Sequence, residues 1–230
     1  MMKKTIALVM CLLLLALPLV SQAATFDTSH ATAYTYSRFS CGCTMGGSGA
    51  MVGRYGFLTA AHNLYCHLHG QPLKTCDFYF GAKSVNSCWY KYDGKFTYWA
   101  YDTFRNGYDS ANDIGFVIFD TPVGDETGWF GTWAGTDSEM DQEFTHVLSH
   151  DANRHLQSLF EVQYVYDANQ LYWKGLINGT SGGPVYLWEE GYDYPWVVGV
   201  YTSYDENGYS YARRLTLDVF EDMKANGAFR

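Results

Sequence analysis

Three scarcities shape this sequence: positive charge is outnumbered, apolar runs are short after residue 20, and no histidine follows position 155. Lys and Arg total 15 against 24 Asp and Glu, a formal net charge of −9. Nucleic acids and anionic lipid surfaces recruit proteins through clustered positive charge, so neither is expected as a partner. The one long apolar run, Ile6 to Val20, follows Lys3 and Lys4 and precedes Ser21-Gln22-Ala23-Ala24. A charged start, a short apolar stretch and small residues before a break form the pattern of a secretory signal peptide, expected over residues 1–23. The run falls short of the roughly twenty residues that cross a bilayer. The mature protein is therefore expected to be secreted, free of the membrane and monomeric. No H-E-x-x-H metal motif occurs, and neither a cofactor nor a metal is expected.

What is abundant is aromatic: 20 Tyr, 14 Phe and 7 Trp. Such side chains suit pleated, half-buried surfaces, which favours a β-rich chain. One stretch organises the rest, Asn178-Gly179-Thr180-Ser181-Gly182-Gly183-Pro184. Small residues let the backbone fold tightly and aim several N–H groups at one point, as a nucleophilic serine requires. A Gly/Ser run is otherwise only a turn, so Ser181 needs a base. All seven histidines (30, 62, 67, 69, 146, 150 and 155) precede it. The G-x-S-x-G elbow of α/β-hydrolases, which residues 179–183 also fit, orders its triad Ser, acid, His and is excluded. The order His, Asp, Ser stays open. Phe57-Leu58-Thr59-Ala60-Ala61-His62 runs an apolar strand into a histidine, and Asn112-Asp113-Ile114-Gly115-Phe116-Val117 starts another with an aspartate.

Those three segments resemble the T-A-A-H, N-D-I and G-x-S-G-G-P blocks of the trypsin/chymotrypsin-like serine protease superfamily. The chain is similar in particular to its bacterial glutamyl endopeptidase and streptogrisin-like branch, as is Ala212-Arg213-Arg214-Leu215-Thr216. The resemblance implies an all-β fold of two antiparallel Greek-key β-barrels with a short C-terminal helix and an active site between the barrels. The first barrel is expected over residues 24–122, with room for a short pro-segment at its start, and the second with the helix over 123–230. It further implies Ser181 as nucleophile, His62 as general base, Asp113 as the group that orients the imidazole, and the N–H groups of Gly179 and Ser181 as an oxyanion hole. The substrate would be a protein or peptide. Gly175, Tyr201, Thr202 and Tyr204 fall at pocket positions.

Three departures from the family pattern matter. Thr180 stands where many members carry Asp, so activation by ion pairing with a new N-terminus is not expected. Gly175 replaces the carboxylate that selects Arg or Lys, and Tyr201 replaces the histidine of glutamyl endopeptidases. Residues 178–180 also form an N-glycosylation sequon, which a glycan would turn into a blocked site, so the match is read as chance. The alternative function is a catalytically inactive homologue that binds a partner; an esterase is a third.

Strands are expected at 50–52, 55–60, 114–119, 143–148, 160–166, 170–173, 185–188, 196–201 and 209–215. Asp93-Gly94 signals a hairpin. Thr216 is expected to cap a helix with Leu217, Phe220 and Met223 on its apolar face and Gly227 as its stop. Five cysteines follow the leader, an odd number for an exported chain. The resemblance suggests joining Cys41 or Cys43 to Cys66, with Cys76 to Cys88 as a second bridge. His67 and His69 beside Cys66 lack a further ligand at recognisable spacing and are read as a surface loop.

Overall fold

The computed structural model describes residues 26–107, 109–177, 179–188 and 194–230. The expected leader and the sequon asparagine lie outside the described residues. The first sheet contains β1 (Thr32–Phe39), β2 (Thr44–Met51), β3 (Gly56–Thr59), β4 (Tyr65–Cys66), β5 (Gln71–Phe80), β6 (Tyr90–Tyr92), β7 (Phe96–Ala100) and β8 (Gly115–Phe119). Its order is β4-β5-β1-β2-β3-β8-β7, with β6 on β5, and every pairing is antiparallel.

The second sheet contains β9 (Gly131–Thr132), β10 (Phe144–His150), β11 (Leu156–Val162), β12 (Tyr164–Val165), β13 (Gln170–Lys174), β14 (Pro184–Leu187), β15 (Trp196–Tyr204) and β16 (Tyr209–Arg214). It runs β11-β10-β14-β15-β16-β13-β12, and β9 alone pairs parallel, to β15. Two curled sheets followed by a C-terminal helix are the architecture the sequence implied. Among the described residues, no helix is long and apolar enough to cross a membrane.

Aromatic side chains fill the first barrel. Phe57 and Phe119 each meet Phe78, at centroid distances of 5.2 Å and 4.9 Å and nearly edge-on, the arrangement that ring quadrupoles favour. The second core gathers Trp173, Val185, Val198 and Tyr201. Buried residues of the first barrel also join Leu148, Val200 and Leu215 of the second, so one apolar seam fixes the barrels together behind the cleft.

Three local expectations need correction. Asp93-Gly94 does not close a hairpin: β6 pairs with β5 and β7 with β8, because Tyr92 packs inward and its hydroxyl donates to the Lys95 carbonyl at 2.6 Å, turning the chain away. The helix is Leu217–Ala225 and stops at Gly227 (φ 84°), as expected, but it buries Val219 and Met223 and leaves Leu217 66% exposed. Leu217 therefore stands in solvent, and Val219 takes the inward place with Met223. The glycine-rich segment before Ala50 is strand from Thr44 onward, since a side chain at Gly47 would begin 2.4 Å from the Asn63 side chain. The strand expected at 50–52 thus begins six residues earlier, and close neighbours require its glycines.

Among the described residues no disulfide is formed: Cys41, Cys43, Cys66, Cys76 and Cys88 are free thiols. Cys76 is buried against the Ser37 hydroxyl, with its Sγ 3.7 Å from that oxygen.

Candidate active site

His62 owes its position to the two alanines before it. Strand β3 ends at Thr59, and Ala60 and Ala61 have no exposed surface, so the chain can turn inside the barrel wall. One 3-10 turn, Ala61–Asn63, then sets His62 at the rim. Asp113 arrives by a second such turn, Ser110–Asn112, whose first residues are tied by Asp109: its carboxylate accepts from Ala111 N–H at 3.1 Å and from Asn112 Nδ2 at 2.7 Å.

The two side chains meet at short range. Asp113 Oδ2 accepts from His62 Nδ1 at 2.6 Å, and Oδ1 accepts from the His62 backbone N–H at 3.0 Å. With Nδ1–H donating to a carboxylate, the neutral ring carries its lone pair on Nε2. Burial of the ring opposes its protonation, but the Asp113 charge and hydrogen bond outweigh that, and the pKa lies above the ordinary histidine value of 6.5. Asp113 itself is only 4% exposed.

Ser181 sits on a turn that only glycine permits. Gly182 has φ +103°, and a side chain there would begin 2.1 Å from the Ser48 carbonyl oxygen; at Gly183 it would begin 1.8 Å from that of Leu148. The backbone is pulled this close because the first barrel grips it. Ser181 O accepts from Ser48 N–H at 2.8 Å and from Asn63 Nδ2 at 2.9 Å. Thr180 is held as firmly: its hydroxyl donates to the His150 carbonyl at 2.9 Å and lies 2.9 Å from Ser48 Oγ. The threonine that departs from the family pattern thus satisfies itself inside the protein without a charged partner.

His62, Ser181, Gly179, Thr180 and Thr202 line one cleft of ≈ 310 Å³ with Met45, Gly46 and His67. The Ser181 hydroxyl is not turned to His62, however. The Ser181 hydroxyl donates to the Thr202 carbonyl at 2.6 Å, and among the described residues no hydrogen bond joins it to His62. The Gly179 N–H, expected in the oxyanion hole, donates instead to the Ile177 carbonyl at 2.8 Å.

Of the four expected pocket residues, Thr202 lines this cleft. Tyr201 is 1% exposed in the second core beside Trp173, and burial pushes its hydroxyl up to about 12. Tyr204 projects into solvent, 62% exposed. Gly175 (φ +140°) is fastened by its N–H to the Gly208 carbonyl at 3.0 Å and by its carbonyl to Ser210 Oγ at 2.6 Å. A side chain at 175 would begin 3.8 Å from Glu161 Oε1, so a carboxylate does reach that region, from a different strand. Sequence reasoning missed Ser48 and Asn63. The signal for Ser48 was a small polar residue in a glycine-rich strand, and for Asn63 its place directly after His62.

No protein-family model matches the sequence, and no curated protein matches it either. Solved structures do match by fold. A Glu endopeptidase superposes with TM-score 0.73 at 14% identity, over 90% of this chain and 94% of that one. The protease Anisep from Arthrobacter nicotinovorans gives 0.73 at 15% identity, over 88% and 98%. An inactivated protease paralogue of the scabies mite gives 0.65 at 11%, over 88% and 96%. The chain has the double-barrel fold of chymotrypsin-like serine proteases.

Proposed function

We propose that this chain is a secreted serine endopeptidase that cleaves protein or peptide substrates through an acyl-enzyme on Ser181. The observation that carries the proposal is the double grip of Asp113 on His62, at ring and backbone, facing the cleft that holds Ser181. A structural histidine would not need its ring tautomer fixed by a carboxylate on the wall of a cleft that it shares with a serine. Substrate binding would displace the Ser181 hydroxyl from the Thr202 carbonyl, which then accepts a backbone N–H of the peptide. Rotation about one side-chain bond turns the hydroxyl to His62. Exchanging one hydrogen bond for another costs about 1 kcal/mol or less.

His62 Nε2 takes the hydroxyl proton as Oγ bonds to the scissile carbonyl carbon, and Asp113 stabilises the resulting imidazolium. The same proton then passes to the leaving amine, and a water molecule repeats the sequence to free the acid product. The N–H groups of Ser181 and Gly179 would receive the oxyanion, the second after leaving Ile177. A donor of this kind contributes about 3–4 kcal/mol where one has been removed from a protease.

A second reading has its own observation. With both the Ser181 hydroxyl and the Gly179 N–H already engaged, the chain would serve as an inactive binding protein if those bonds persisted. A fluorophosphonate probe separates the two. The active enzyme takes up one probe per chain at Ser181, and Ser181→Ala abolishes labelling and lowers peptide hydrolysis by about six orders of magnitude. A folded wild-type protein that neither labels nor cleaves is the inactive homologue.

A further inference from the structure

Next in the chain to the cleft-lining Met45 and His67, two tight turns of the first barrel come together and place four metal-ligating side chains at one point. Cys41 and Cys43 flank Gly42 in the turn joining β1 to β2, where Gly42 adopts φ +88° and its N–H donates to the Phe39 carbonyl at 2.9 Å. Cys66 ends β4, and His69 lies in the turn leading into β5, its N–H donating to the Cys66 carbonyl at 3.3 Å. The three Sγ atoms and a ring nitrogen of His69 all lie within 4.8 Å of one another. His69 Nδ1 is 3.4 Å from Cys43 Sγ and 3.5 Å from Cys66 Sγ.

Those separations suit a metal as well as they suit S–H···N hydrogen bonds. With Zn–S near 2.3 Å and Zn–N near 2.1 Å, a tetrahedral site has edges of about 3.8 Å between sulfurs and about 3.6 Å between sulfur and nitrogen. The two Sγ–Nδ1 separations match that edge, and the other pairs lie within 4.8 Å. Three sulfurs and one imidazole nitrogen are the donor set of structural zinc, and their softness disfavours calcium or magnesium. Three thiols gathered at one place also leave one over whenever two of them pair as a disulfide. Cys66 and His69 stand close together in the chain, but Cys41 and Cys43 come from the other turn: Cys43 and His69 are 26 residues apart.

We propose that Cys41, Cys43, Cys66 and His69 bind one structural zinc ion. On binding, three S–H bonds break heterolytically, the protons pass to solvent, and three thiolates and neutral His69 Nδ1 each donate an electron pair to Zn²⁺. No oxidant takes part. The ion closes the coordination shell, as structural rather than catalytic zinc does, and clips the β1–β2 turn to the segment that begins at His62. Cys66 lies four residues beyond His62, so the clip restrains the loop that carries the base.

Metal content tests this on the full exported chain, purified without reductant or chelator. Elemental analysis should find one zinc per chain, and thiol titration after denaturation in chelator should find Cys41, Cys43 and Cys66 all reduced. Replacement by Co²⁺ should give the thiolate charge-transfer and tetrahedral d–d bands. His69→Ala should weaken zinc binding by about tenfold or more, while Cys88→Ser, outside the cluster, leaves it unchanged. Ser181→Ala should hold zinc as the wild type does, so the result is independent of whether the chain is a protease. A disulfide among Cys41, Cys43 and Cys66, reduced protein that fails to take up zinc at micromolar concentration, or another metal in zinc's place would overturn the proposal.

Discussion

On the first-barrel side of the cleft, Asp113 holds His62 at two points and fixes its tautomer. On the second-barrel side, the Ser181 hydroxyl and the Gly179 N–H both spend their hydrogens on carbonyls of their own barrel. The difference has a physical source. A carboxylate and an imidazole can satisfy each other, so that wall is stable alone. A hydroxyl and an amide N–H that lack such a fixed partner turn to the nearest acceptors. One wall is preorganised by its own chemistry; on the function proposed above, a substrate completes the other.

The largest expected effect follows from breaking the stable wall. Asp113 accepts two N–H donors, one on each oxygen. Asp113→Asn retains one acceptor oxygen and presents an N–H₂ to the other donor. If the amide oxygen keeps the backbone bond, the ring must accept through Nδ1 and carry its hydrogen on Nε2, where it cannot take the serine proton. The loss should be about four orders of magnitude in kcat, the size seen for this change in a well-studied triad enzyme. Steady-state kinetics on the folded variant would read it, and a loss of under tenfold would remove Asp113 from the mechanism.

A smaller effect is expected where the first barrel reaches across to steady the second wall. Asn63 Nδ2 donates to the Ser181 carbonyl at 2.9 Å and lies 3.0 Å from Thr59 Oγ1. Asn63→Ala removes both bonds from a site that is 1% exposed, while Ser48 N–H still holds Ser181 O. Stability should drop by about 1–3 kcal/mol in urea unfolding. If Asn63 also positions the nucleophile, kcat should fall by about tenfold with KM little changed. Lower stability with unaltered kcat would make the residue part of the barrel contact alone.

Much of this comparison was legible in the sequence, but unevenly. The His, Asp, Ser order identified both walls because a triad needs particular residue types in sequence contexts that fold alike: small residues before His62, an apolar strand after Asp113, glycines after Ser181. The apolar runs marked most strands for the same reason. What stayed hidden depends on long-range register. Nothing local shows that β7 leaves β6 for β8, that Tyr201 points into the second core, or that His69 meets Cys43. The direction of a hydroxyl or of one amide is subtler still, since either choice leaves the same residues in the same turn.

The smallest effect is in the pH profile, and it reports on the first wall directly. Because Asp113 raises the His62 pKa above 6.5, the imidazolium persists to higher pH, and the rise of kcat/KM should be centred above that value. Removing the carboxylate reverses the sign: the residual activity of Asp113→Asn should switch on at lower pH than that of the wild type. The same shift acts on stability. A group whose folded pKa exceeds its unfolded value contributes stability below the unfolded pKa and loses it as pH rises through the folded one, so this contribution should fade over the window just above 6.5. NMR titration of the His62 ring in Ser181→Ala gives the pKa without turnover. A value at or below 6.5 would mean that burial outweighs Asp113, and the first wall would then be held by geometry without the electrostatic bias assigned to it.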